Sequence, residues 1–143
     1  MFSQERYYNR FGAFHRQSIL SCPEPEYWTT DYAEQGRVYR EMKERIKMQQ
    51  QLADDCFSIQ FPVLDVGCGF GRQAVMLAKK GYEVVGCDTS EVFISIAKEL
   101  FDSQVSKASF SPLELISYKE GISARLCCLM LLNIFLLLKE KSW

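Results

Sequence analysis

In residues 63–71, Val-Leu-Asp-Val-Gly-Cys-Gly-Phe-Gly, three glycines alternate with other residues directly after a short apolar run. A carboxylate, Asp65, stands two places before the first of them. Glycine in such a loop frees φ and lets a ligand lie against bare main chain, and a helix that follows offers unpaired N–H groups. The spacing over Gly67, Gly69 and Gly71 is Gly-x-Gly-x-Gly. A dinucleotide site asks for Gly-x-Gly-x-x-Gly, whose third glycine would fall where Arg72 stands. Charge separates the two further. Asp65 beside a pyrophosphate repels it, whereas beside an amino-acid cofactor carrying an ammonium and a sulfonium it attracts. At roughly 4 Å that attraction is about 1 kcal/mol in water and about 4 kcal/mol at an effective dielectric of 20, so burial decides its weight. Asp88 closes the next apolar run. A carboxylate there can accept hydrogen bonds from both hydroxyls of a ribose, and such charge-assisted bonds are the stronger kind. One carboxylate then serves the amino-acid end and the other the sugar end of a single ligand.

These residues need a frame of strands followed by helices. Phe61–Val66 reads as a short buried strand, with Pro62 at its start, where a missing N–H is tolerated. Gly71–Lys80 reads as a helix whose apolar face is Ala74, Val75, Leu77 and Ala78, with Gly81 as its stop. Tyr82–Cys87 is a second strand. Ser90–Phe101 is a second helix with Val92, Phe93, Ile96, Ala97 and Leu100 inward, and Asp88 with Glu91 resembles a capping pair. Strand, helix, strand, helix in this order predicts a parallel sheet with right-handed crossovers. Upstream, a helix is expected from about Asp31 to Asp54. Val38, Met42 and Ile46 recur every four residues, and Arg40, Glu41, Lys43, Glu44 and Lys47 face water. Residues 1 to 30 are aromatic and polar, and Pro23 and Pro25 break any long helix there.

Residues 63–90, VLDVGCGFGRQAVMLAKKGYEVVGCDTS, resemble the cofactor-binding segment of the class I S-adenosylmethionine-dependent methyltransferases. The resemblance covers roughly residues 31 to 101. It implies a Rossmann-like, three-layer α/β/α fold with a mostly parallel sheet, preceded by an N-terminal helical segment. It implies that Gly67, Cys68, Gly69 and Gly71 line the methionine part of S-adenosyl-L-methionine near Asp65, that Asp88 binds the ribose, and that Thr89 borders the adenine. Residues 1–54 would be a helical extension covering the cofactor, with Trp28, Tyr32 and Tyr39 as lid aromatics. Residues 55–143 would be a partial cofactor-binding domain.

The later residues depart from the family. About four strands rather than seven are expected in the length available. An acid after the third strand usually meets the adenine, but in residues 105–118 Ser109 or Ser111 sits nearest that place, Glu114 follows a few residues on, and no adenine acid is assigned. Leu126–Leu138 is leucine-rich and apolar except for Asn133, and it is too short for a comfortable membrane span. The composition shift near Gly121 fits a truncated or divergent methyltransferase, or a change of reading frame after about Ser106. A fourth strand left as an open edge would favour self-association through 126–138.

Composition narrows the rest. The chain has 143 residues and a formal net charge of −1, which suits one domain and gives no field for nucleic acid or an anionic membrane. Its six cysteines include no Cys-x-x-Cys pair, so metal and redox roles are not assigned. Cys68 and Cys87 read as small apolar fillers, Arg72 as a solvated helix residue and His15 as a surface residue. The first ten residues have no signal-peptide pattern, and a reducing cytoplasm is expected. No catalytic base is identified. Methyl transfer is an in-line displacement at a carbon activated by its sulfonium, so positioning can carry much of it. The acceptor is unassigned, a small molecule being favoured. The rival readings are a catalytically inactive cofactor-binding or partner-binding remnant and, disfavoured by Arg72, a nicotinamide enzyme.

Overall fold

The computed structural model describes residues 3–101 and 108–112 of the chain. The expected fourth strand, Glu114 and the 126–138 segment lie outside these residues. Helix α1 (Gln4–Leu20) is followed by two short 3-10 turns, at Pro25–Tyr27 and Tyr32–Glu34, and by α2 (Arg37–Cys56). Then come β1 (Val63–Val66), α3 (Arg72–Lys79), β2 (Val84–Asp88), α4 (Glu91–Phe101) and β3 (Ala108–Pro112). All three strands are parallel, in the order β1-β2-β3. The strand–helix alternation and the parallel sheet match the expected Rossmann-like class.

Register assigns the two faces of the sheet. Val63 pairs with Val84 and Val84 with Ala108, while Asp65 pairs with Gly86 and Gly86 with Phe110. Paired residues share a face, and this one packs into the main core with α3 and α4. Its residues Val63, Asp65, Val84, Gly86 and Phe110 are all buried. On the other face Val66, Val85 and Ser111 are half-buried and Ser109 is exposed. Gly86 has to lack a side chain: a Cβ there would stand 2.7 Å from the Phe110 ring and 3.1 Å from the Cys68 sulfur.

The helical face of α3 is the predicted one, with Ala74, Val75, Leu77 and Ala78 buried and Met76 added to them. Two expectations upstream are corrected. First, α1 is a regular helix of 17 residues. The prolines at 23 and 25 act only beyond its end, and Ser3 caps its start by accepting the Arg6 N–H at 3.2 Å. Second, α2 begins at Arg37 rather than near Asp31. Asp31 stays outside the helix and caps it from a distance, its carboxylate accepting the N–H groups of Val38 at 3.1 Å and Tyr39 at 2.9 Å. That satisfies donors every helix start leaves open. The buried stripe of α2 is Tyr39, Ile46, Gln49 and Ala53, with Val38 exposed.

Helix α1 lies along α4. Asn9 meets Ser90, Gly12 meets Val92 and Phe93, and Arg16 meets Ser95 and Glu99. The partners advance together, so the two helices run in the same direction. Gly12 makes the approach close, since a Cβ there would touch Phe93 and Val92 at 3.0 Å. Helix α2 lies along α3 in the same sense, with Met42 against Arg72 and Asp54 paired to Lys80 at 2.5 Å. Among the described residues no helix is long and apolar enough to cross a membrane.

Candidate functional site

At the carboxyl end of β1 the chain turns through Gly67, Gly69 and Gly71, which have φ of 73°, 56° and 88°. Side chains disfavour all three values. Gly71 is constrained twice, because a Cβ on it would lie 2.8 Å from the Phe110 ring and 3.0 Å from Phe101. This third glycine therefore serves packing of the loop onto α4 and β3. Gly69 is different: a Cβ there would meet only Phe93, at 3.9 Å. The loop hangs from β2, with the N–H groups of Gly67 and Cys68 both donating to the Cys87 carbonyl, at 2.7 and 3.0 Å.

Asp88, the last residue of β2, completes the suspension. One of its oxygens accepts the Gly69 N–H at 2.8 Å and the other the Ser90 N–H at 2.8 Å. The expected Asp88–Glu91 capping pair is replaced by Ser90, whose hydroxyl accepts the Phe93 N–H at 3.2 Å. The same hydroxyl donates to the Asn9 side-chain oxygen at 2.7 Å. A continuous chain of bonds thus runs from α1 through Ser90 and Asp88 to the glycine loop. Ser90 and Asn9 were not singled out in the sequence, because only the fold brings residues 9 and 90 together.

Asp65 lies on the helical face of the sheet and is 3% exposed. Burial first, and the nearby Asp88 carboxylate second, push its pKa up to about 7, while the Ala74 N–H at the start of α3 pulls the other way. Its Oδ2 is buried with no hydrogen-bond partner among the described residues. Cys68 and Cys87 are buried, as expected of fillers, and burial raises the Cys68 pKa far above its usual range. Thr89 is exposed just beyond β2. Ser109 and Ser111 lie inside β3, Ser111 opposite Cys87.

The loop opens on a cavity of about 1050 Å³. Gly67, Cys68, Gly69 and Phe70 line it, whereas Asp65, Gly71, Asp88 and Thr89 are not among its lining residues. Tyr7, Tyr8 and Phe11 of α1 form one wall. From α2, Met42, Arg45 and Met48 form another, with Arg40, Glu41 and Glu44 beside them. The expected lid aromatics are not among these residues. Trp28 is buried, donates its indole N–H to Ser18 at 2.9 Å and packs on Phe70. Tyr32 and Tyr39 pack edge-to-face on each other at 4.9 Å. The aromatic cover comes from α1, whose Tyr8 and Phe11 meet Phe93 beside the loop.

Arg72 is a further correction at this site. It is half-buried on the cavity wall. Its guanidinium lies 4.6 Å over the Phe70 ring and 3.2 Å from the Met42 sulfur. Burial, and then the like charge of Arg45, lower its pKa to about 10. His15 is half-buried in an aromatic cluster with Phe11, Phe14 and Trp28.

Comparison with known proteins agrees with this architecture. A methyltransferase domain family matches residues 63–134, half of the chain. A provisionally named methyltransferase of Geobacillus sp. is 36% identical over 80 residues, which are 56% of this chain and 32% of that protein. The chain thus spans about a third of that relative's length. Among solved structures, a SAM-dependent methyltransferase from Anabaena variabilis superposes with a TM-score of 0.52 at 17% identity, over 79% of this chain and 40% of its own. Magnesium protoporphyrin IX methyltransferase from Synechocystis, solved with bound SAH, gives 0.51 at 21% identity, over 75% and 48%. Both share the fold. With a family model matched over half of the chain, at residues 63–134, the chain belongs to the methyltransferase domain family.

Proposed function

We propose that the chain binds S-adenosyl-L-methionine on the 67–71 loop and transfers its methyl group to a small-molecule acceptor in the adjoining cavity. The observation that carries this reading is the suspended loop: three glycines with positive φ at the end of β1, fixed by Asp88 and open toward the cavity.

The residues present suit the cofactor. The unpartnered Oδ2 of Asp65 is a buried acceptor that an ammonium would satisfy. The space over Gly69 admits a ligand against bare backbone. Each Asp88 oxygen has taken one N–H, and an ionised carboxylate offers about four acceptor positions, so capacity remains for two ribose hydroxyls. Thr89 follows Asp88 at the strand end, where the adenine would border it. When bound, S-adenosylmethionine supplies a methyl carbon activated by its sulfonium. The chain's own part is positional: the loop and Asp88 fix the donor, and α1 and α2 wall off the space in which an acceptor meets it. Residues 1–54 would in this way act as the cover of the site.

Calorimetric titration of the full chain tests the reading. Heat is expected with S-adenosylmethionine and none with NAD. Asp88→Ala should weaken the binding by about 1.5–3 kcal/mol, the range for hydrogen bonds to a charged group. An absence of heat with the sulfonium compound, or unchanged affinity in the variant, removes the reading or Asp88's part in it.

A further inference from the structure

The cavity wall carries positive charge that no carboxylate among the described residues balances. Glu41 is paired with Arg37 at 2.6 Å and Glu44 with Lys47 at 2.9 Å, both on the flank of α2. Arg40 donates to the Gln35 carbonyl at 2.7 Å. Arg45 and Arg72 also line the cavity, and like Arg40 neither has a carboxylate within ion-pair distance among the described residues. Arg72 is the more telling of the two. It is half-buried, its guanidinium rests on a phenyl ring and a thioether, and after burial the largest influence on its charge is a second cation, Arg45, with Cys22 acting more weakly the other way. Burying a cation without a counter-ion is costly, and a cation–π contact offsets only part of that.

Apolar side chains stand beside the pair. Met42, Arg45 and Met48 recur at three-residue spacing along α2, which brings them to one side of the helix. Tyr7, Tyr8 and Phe11 face the same space from α1. A ligand that fits has a flat apolar body and an oxyanion head. We propose that the methyl acceptor is an apolar molecule bearing a carboxylate or phosphate, and that Arg45 and Arg72 hold this group. The proposal deepens the methyltransferase reading above and rests on it for the word acceptor.

Benzoate, phenyl phosphate and the neutral benzamide serve as probes, titrated into the full chain with and without saturating S-adenosylhomocysteine. At least one anionic probe is expected to bind about tenfold more tightly than benzamide, the size of a charged hydrogen-bond contribution. Which of the two binds tells carboxylate from phosphate. Arg45→Gln, an exposed position, should weaken the anion by about tenfold and leave S-adenosylhomocysteine within about threefold. Arg45→Lys should retain part of the binding, because charge remains while the planar fork is lost. Arg72→Gln should act as Arg45→Gln does, with thermal melting to certify its fold. Equal binding of benzamide and the anions, no binding of any probe, or wild-type anion affinity in Arg45→Gln overturns the proposal. So does a tenfold loss of S-adenosylhomocysteine in that variant, which would give the arginines to the cofactor's carboxylate. Failure of S-adenosylhomocysteine to bind at all is a separate result that sinks the cofactor reading, and the probe series without it is still read on its own terms.

Discussion

On the sheet side of the cavity, position is set by main chain. The 67–71 loop hangs on the Cys87 carbonyl, on Asp88 and on glycine conformations that few other residues share. On the helical side, position is set by side chains. Asn9 and Arg16 tie α1 to α4, aromatic rings fill the gap, and Met42 rests on Arg72. The contrast separates two tasks. A loop that must present bare backbone cannot rely on its own side chains, so it is fixed by geometry. A wall built from side chains can change without disturbing the loop.

If that division holds, the largest effect belongs to Gly71. A side chain there meets both a φ of 88° and the Phe110 ring at 2.8 Å. Gly71→Val is expected to cost more than about 4 kcal/mol, among the severest classes of substitution, and to lower the melting temperature by more than about 10 °C. A melting temperature within a few degrees of the native chain would show that the loop yields, and that backbone does not fix it.

Asp65 sharpens the same side by pH. Its folded pKa of about 7 lies above the ordinary value of 3.8. The folded chain therefore binds this proton more tightly than the unfolded chain does. The contribution to stability is complete below about pH 4, declines as pH rises from about 4 to 7, and is lost above that. Its full span is on the order of 4 kcal/mol. Urea melts at several pH values should show this decline in the native chain and its loss in Asp65→Asn. The same slope in both proteins would mean that Asp65 is ionised in its buried place. A cationic ligand reverses the preference, so affinity for S-adenosylmethionine should rise over the same pH interval in the native chain and stay flat in the variant.

The sheet side was legible in the sequence for the reason that it is rigid. Alternation of apolar and special residues in 61–101 answers to local rules, and the β1–α3–β2–α4 boundaries fall within about two residues of expectation. The helical side answers to contacts far apart in the chain. The buried stripe of α1 is carried by Gly12 and Ile19, with Phe11 and Leu20 packed beside them, a pattern that a count of aliphatic residues misses. Asp31 marks the α2 start from six residues upstream of Arg37, across a 3-10 turn and a left-handed Gln35, which a cap placed next to its helix does not suggest. Arg72 looked solvated because only the folding of α2 over it removes water. Trp28, Tyr32 and Tyr39 looked like a lid because they are aromatic, yet they fasten the turns between α1 and α2. For the proposed cofactor residues, the sequence named those forming or suspending the loop and missed Ser90, which joins the two sides.

Ser90 is where the division can be tested most finely. Its hydroxyl is fully buried, accepts from the Phe93 N–H and donates to Asn9. Ser90→Ala removes the cap of α4 and leaves Asn9 only the 3.4 Å contact from the Val92 N–H. The expected cost is about 1–2 kcal/mol, the value of a buried cap with one further bond. The distribution of that cost is the informative part. The Asp88–Gly69 bond does not pass through the hydroxyl, so the loop should keep its place. Hydrogen exchange should therefore quicken in α1 and the first turn of α4 while β1 and β2 keep their protection. Equal loosening of helix and sheet would mean that α1 belongs to the same cooperative unit as the loop, and that the cavity's two sides share one support.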